Sequence, residues 1–141
     1  MALALNKIIV SGAVTNTASA YLQTTTVAAV TSGNGTVITA GSILTTQIKI
    51  GNHVYVNLGT TIGHDVTIHD FVNIAPGCHI SGNVTLMEGA DLGTGAVVLQ
   101  GLTIGKWSTV GAGAVVLEDV PDNTVVVGTP AEIIRYKGPA G

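Results

Sequence analysis

Charge is scarce in this sequence. Its 141 residues hold five Lys or Arg and eight Asp or Glu, for a net charge of −3. So few cations cannot assemble the basic footprint of a nucleic-acid partner. Long apolar runs are also missing. Although 46% of residues are hydrophobic, no run approaches the roughly 20 apolar residues of a membrane-crossing helix. Residues 1–10, MALALNKIIV, lack the charged start, long apolar stretch and cleavage site of a secretory leader. A cytoplasmic protein with no membrane partner is the expectation. The single cysteine, Cys78, has no partner for an internal disulfide. At this length the chain is expected to form one domain.

What the sequence does have is a period of six. Ile38, Leu44, Ile50, Val56, Ile62, Ile68, Ile74, Ile80, Leu86, Leu92, Val98, Ile104, Val110 and Val116 stand six apart, and all fourteen are Ile, Leu or Val. Even with a free choice of phase, chance gives this at roughly one in a million or less. Two residues before each aliphatic the sequence is small or aliphatic and never charged: Thr36, Ser42, Ile48, Val54, Thr60, Val66, Val72, Cys78 and so on to Ala114. The residue after the aliphatic is often glycine, as at Gly51, Gly63, Gly93, Gly105 and Gly111. Every charge in the region avoids both series.

No helix and no ordinary strand has a period of six; a repeat architecture does. Each hexad reads as a short strand and a tight corner. Glycine, Asn and Asp suit corners where φ is positive. Three hexads close one triangular coil of 18 residues, and coils stacked at about 4.8 Å bury a continuous aliphatic column. Cys78, in an inward position, reads as core filling. Outward apolar residues such as Val97, Leu99, Val115 and Leu117 predict packing against copies of the same chain.

The quoted stretches carry a family resemblance. IGNHVYVNLGTTIGHDVTIHDFVNIAPGCHISGNVTL (50–86), LGTGAVVLQGLTIG (92–105) and VGAGAVVLEDVPDNTVVVGTPAEIIR (110–135) resemble the hexapeptide-repeat acyltransferases. Within them the chain looks most like the sugar O- and N-acetyltransferases of the sialic-acid and bacillosamine type. The resemblance covers about 36–135. It implies an all-β fold, a left-handed parallel β-helix assembled as a homotrimer. The hand comes from the resemblance alone, since ordinary crossover sterics favour the right hand.

Three segments follow in order. Residues 1–35 carry Lys7 as their one charge and are expected to form a cap, a partial coil or an oligomer contact. They are too short to build the nucleotide-sugar-binding domain that related acetyltransferases carry. Ser32 interrupts the aliphatic series, and the eight residues from Val30 to Ile38 suggest a two-residue insertion within TSGNG (31–35). Residues 36–120 form the β-helix. Residues 121–141 leave it: Pro121-Asp122-Asn123 is a turn, TVVVG (124–128) a strand, and AEIIRYKG (131–138) a short helical turn closing the column.

The resemblance also supplies site residues. His64 of the Gly-His-Asp corner is expected as general base, with Asp65 tuning it. An imidazole with an unperturbed pKa near 6.5 suits removal of a proton from an attacking hydroxyl or amine. One coil on from His64 lies Gly82, whose N–H is a candidate oxyanion donor. Asn73 stands where the family commonly has a histidine that meets the thioester end of the cofactor; an amide can donate a hydrogen bond there but cannot share a proton. By resemblance, acetyl-CoA lies in a groove between two subunits, against Gly93, Thr94, Gly111 and Ala112, with Lys106 within reach of phosphate. Trp107 is expected to pack or to stack on adenine.

Two other readings compete with a sugar acetyltransferase. His64 and His69 follow Ile62 and Ile68 in the register that γ-class carbonic anhydrases use for zinc ligands. The third ligand would fall at Gly51, so no metal site is assigned. Ahead of that zinc reading, the runner-up is a non-catalytic, self-assembling β-helix, motivated by the charge-poor N-terminal segment and by Asn73.

Overall fold

The structure, a computed structural model, describes residues 30–138. Most of the N-terminal segment, and with it the readings on 1–29, lies outside the described residues. The hexad builds the expected solenoid. Each hexad contributes a strand of two or three residues, one side chain outward and one buried. Three faces result. The first holds Val30–Ser32, Ile48–Ile50, Thr67–Ile68, Thr85–Leu86 and Thr103–Ile104. The second holds Val37–Ile38, Tyr55–Val56, Asn73–Ile74, Asp91–Leu92, Thr109–Val110, Thr124–Val127 and Glu132–Tyr136. The third holds Ile43–Leu44, Thr61–Ile62, His79–Ile80, Val97–Val98 and Val115–Val116. Through the repeat, strands pair in parallel with partners 18 residues on, as in Ile62 with Ile80 and Asn73 with Asp91.

The aliphatic series forms the core. Leu44, Val56, Ile74, Leu86, Leu92, Val98, Ile104 and Val110 are fully buried, each stabilising the column by about 1.5–3 kcal/mol relative to exposure. The companion inward series is polar at intervals, and those groups are satisfied. Ser42, Thr60 and Cys78, one above another, hydrogen-bond to the carbonyls of Asn57, Ala75 and Gly93, each 15 residues on. Cys78 is thus core, as expected, and stands in a hydroxyl's place. Burial pushes its thiol pKa up.

Several expectations change. There is no insertion between Val30 and Ile38: Val30 pairs with Ile48 and Ser32 with Ile50, so Ser32 occupies an ordinary slot in unbroken register. The glycines that follow the aliphatics are not corner residues of positive φ. That conformation falls two residues later, and falls on Gln47, His53, Asp65, Phe71, Asn83 and Trp107 as well as on glycines. Gly63 and Gly93 are small because the next coil is close: a Cβ there would lie 2.6 Å from the backbone nitrogen of Gly82 or Ala112. Finally, 132–136 is no helical turn. Glu132–Tyr136 is an antiparallel strand on Thr124–Val127, and Lys137 ties it down by donating to the Trp107 carbonyl and the Thr109 hydroxyl. Alternating burial is absent from this strand, which is exposed throughout, so the sequence offered no period-two signal for it.

Candidate active site

The third corner of each coil, between the third and first faces, carries His64. The corner needs a left-handed residue, and Asp65 supplies it at φ 57°; Asp is among the non-glycine residues that tolerate this. The turn swings the Asp65 carboxylate back against the imidazole, with His64 Nδ1 2.8 Å from Asp65 Oδ2. A carboxylate can only accept, so the bond places the proton on Nδ1 and leaves the Nε2 lone pair free. Both side chains are about half exposed, at 51% and 54%, so a substrate can reach them.

Gly82 lies directly beneath the ring: a Cβ there would sit 2.5 Å from Nε2 of His64. The coils are tied at this level by the Asn83 N–H donating to the His64 carbonyl at 2.8 Å and the Asp65 N–H to the Thr46 carbonyl at 3.0 Å. His64, Asp65 and Gly82 therefore come together as one cluster.

Asn73 does not join them. It lies on the second face, where its amide donates to Asp91 Oδ1 at 2.7 Å. Gly93 and Thr94 stack under Gly111 and Ala112 at the end of the same face, with the Gly113 N–H bonded to the Thr94 carbonyl. Lys106 is exposed at the face's other corner, where its backbone N–H bonds Asp122. In a three-faced coil the second face is opposite the third corner. Asn73 thus lies on the face opposite His64, while Gly93, Thr94, Gly111 and Ala112 stand at the corner between the second and third faces, one face-width from His64. Trp107 packs within its own chain, its ring lying on Gly89, and remains 45% exposed.

His64 and His69 flank the strand Thr67–Ile68 and stand at different corners. Among the described residues no three His, Cys, Asp or Glu form a metal-binding group. His53 stacks instead on Phe71, with ring centroids 5.5 Å apart. Two polar pairs escaped the sequence reading: Thr61 with His79, at 2.7 Å, and Asn73 with Asp91. Both are separated by 18 residues, the spacing that had already stacked Gly82 on His64, and applying it to every outward position would have found them.

Comparison with known proteins places this fold. The acetyltransferase domain of PglB from Neisseria gonorrhoeae, solved with acetyl coenzyme A, is similar at 36% identity over 80% of this chain, with a TM-score of 0.75. The family follows from this match and the repeat. The chain belongs with the left-handed hexapeptide-repeat β-helices. WeeI from Acinetobacter baumannii is 40% identical over 73% of the chain, with a TM-score of 0.66. A histidine-to-asparagine variant of perosamine N-acetyltransferase from Caulobacter crescentus, with CoA and GDP-perosamine, is 32% identical over 81%, with a TM-score of 0.76. This hexapeptide β-helix covers 54%, 49% and 53% of those three chains, about half of each. No protein-family model matches the sequence, and neither does a curated protein.

Proposed function

We propose that this hexapeptide β-helix is an acetyltransferase, moving acetyl from acetyl-CoA to an amine or hydroxyl of a sugar. The His64–Asp65 pair carries the reading: a 2.8 Å contact that fixes the tautomer and leaves Nε2 without a proton, on a ring that is half exposed. Neighbours of the same fold that were solved with acetyl coenzyme A, or with CoA and GDP-perosamine, support it.

Acetyl-CoA would supply the activated acyl group. The second face fits it. At Gly95 and Gly113 an added Cβ would meet nothing within 4 Å, so that corner is open along its length to an extended arm. Gly93, Thr94, Gly111 and Ala112 present backbone there; Asn73 offers one amide on the second face itself, and Lys106 a positive charge at that face's far corner. At the next corner, His64 Nε2 takes the proton from the acceptor as its nitrogen or oxygen attacks the thioester carbonyl; the C–S bond then breaks and CoA leaves as the thiol, reprotonated by His64. Asp65 accepts from Nδ1 and stabilises the imidazolium that forms. The Gly82 N–H is assigned to the negative charge developing on the acyl oxygen.

Because the open glycine corner and the His64 corner stand a full face apart on one chain, a working site takes His64 from one copy and the glycine corner from another. A closed ring of three copies is the expected arrangement. Two measurements test the proposal. Calorimetry should give micromolar binding of acetyl-CoA near one site per chain. His64→Ala should lower kcat by more than about 100-fold; unchanged turnover would reject the base.

A further inference from the structure

A cavity of about 280 Å³ opens on the third face, lined by Ile43, Thr45, Thr61, Gly63, His79 and Ser81. We propose that it is the subsite for the sugar ring of the acceptor, and that Thr61 and His79 read the ring's hydroxyls. The inference rests on the acetyltransferase reading and adds to it a place for the acceptor.

Position is the first argument. Gly63 and Ser81 line it, and they are the chain neighbours of His64 and Gly82. The imidazole lies over Gly82, with Nε2 the ring atom nearest to it. A ring held in the cavity therefore lies beside the corner that carries the base.

Size is the second. At about 280 Å³ the cavity lies just below the roughly 300 Å³ at which small-molecule sites begin. It has room for one ring, and anything attached to that ring extends beyond its mouth.

Chemistry is the third. Ile43 offers an aliphatic wall, while Thr45, Thr61 and Ser81 offer hydroxyls and His79 an imidazole. A sugar ring has the matching halves, C–H faces and a hydroxyl edge. No carboxylate, ammonium or guanidinium lines the cavity, which disfavours a phosphate or an acidic sugar. The Thr45 hydroxyl already donates to the Ile62 carbonyl, so it is left as an acceptor.

The Thr61–His79 pair is suited to a hydroxyl. Thr61 Oγ1 and His79 Nδ1 are 2.7 Å apart. If Thr61 donates, Nε2 carries the proton and donates to the ligand; if Nδ1 donates, Nε2 accepts and the Thr61 proton is released. A sugar hydroxyl, both donor and acceptor, satisfies either state.

Histidine NMR on the full chain tests this directly, because there are only four imidazoles to assign. Acetyl-CoA would be titrated first, then glucosamine and GDP-perosamine as probes. The sugars should shift His64 and His79 saturably and leave His53 and His69 in place. His79→Ala and Thr61→Val should each weaken probe binding by about tenfold, the scale of one lost hydrogen bond to a ligand. Affinity for acetyl-CoA should not change, and Thr61→Ser should restore sugar binding. If acetyl-CoA binds but neither sugar moves His79, or the sugars shift His53 or His69 instead, the subsite is wrong and the acetyltransferase reading stands. If the folded chain binds neither acetyl-CoA nor sugar, both fall.

Discussion

A methyl group at Gly82 would lie 2.5 Å from Nε2 of His64, and the imidazole, as a side chain on an exposed corner, can swing away to admit it. Gly82→Ala is therefore expected to leave the melting temperature within a degree or two while lowering kcat at least about tenfold, through displacement of the base. A large loss of stability with normal kcat per folded molecule would show that Gly82 serves the turn and not the ring. At this scale the sequence was readable where a residue's role is set by its own slot. Ile74 and Cys78 were placed inside, and His64 beside Asp65, from position alone. It was less readable where the role belongs to a neighbour one coil away, as for Gly63, Gly93 and His79. Those roles depend on which side chain leans over which backbone.

The corners act as elements, and one of them is an amide-and-carboxylate ladder. Asn34 N–H donates to Asn52 Oδ1, and Asn52 N–H donates to Asp70 Oδ1 at 2.7 Å. That backbone donor, more than the side-chain amide of Asn52 or the nearby His69 and His53, holds the Asp70 pKa below the ordinary value of 3.8. A carboxylate depressed in the folded state stabilises it above its unfolded pKa, about 3.9, and ceases to as pH falls through the folded value. The melting temperature of the wild type should thus fall more steeply below about pH 4 than that of Asp70→Asn, whose amide still accepts the bond but does not titrate. Parallel curves would remove Asp70 from the account. The closing strand Glu132–Tyr136 was illegible for a related reason. It is held by backbone pairing and by the Lys137 clamp, with no buried face to write a pattern into the sequence.

For the whole molecule the decisive fact is that the His64 corner and the open glycine corner stand at the two edges of the third face. The proposed function then makes activity a property of pairs. Chains carrying His64→Ala and chains carrying Gly113→Trp, a bulky group set into the open corner of the second face, should each be nearly inactive alone. Mixed, refolded oligomers should recover a fraction of wild-type activity, because some interfaces contain one intact copy of each half. No recovery in demonstrated mixed oligomers would place the whole site within one chain. The fold was legible because eighteen residues close a coil and every coil repeats the same choice. The partnership between copies was not, since nothing in a repeat says which face meets which.

The register of 18 also makes length in this molecule a quantised property. Excising eighteen consecutive residues within the repeat removes one coil and returns every surviving strand to an equivalent neighbour. Excising six advances all that follows by one face, so His64 and the second face exchange their geometric relation although each hexad stays intact. Excising one turns the aliphatic series outward. A deletion series should therefore alternate between soluble and insoluble products with a period of six, and regain present face assignments only at eighteen. The repeat register ends where this arithmetic fails. Ile104 bridges Val120 and Thr109 pairs with Val125, each only 16 residues on, so a count two short serves as punctuation at the end of the column.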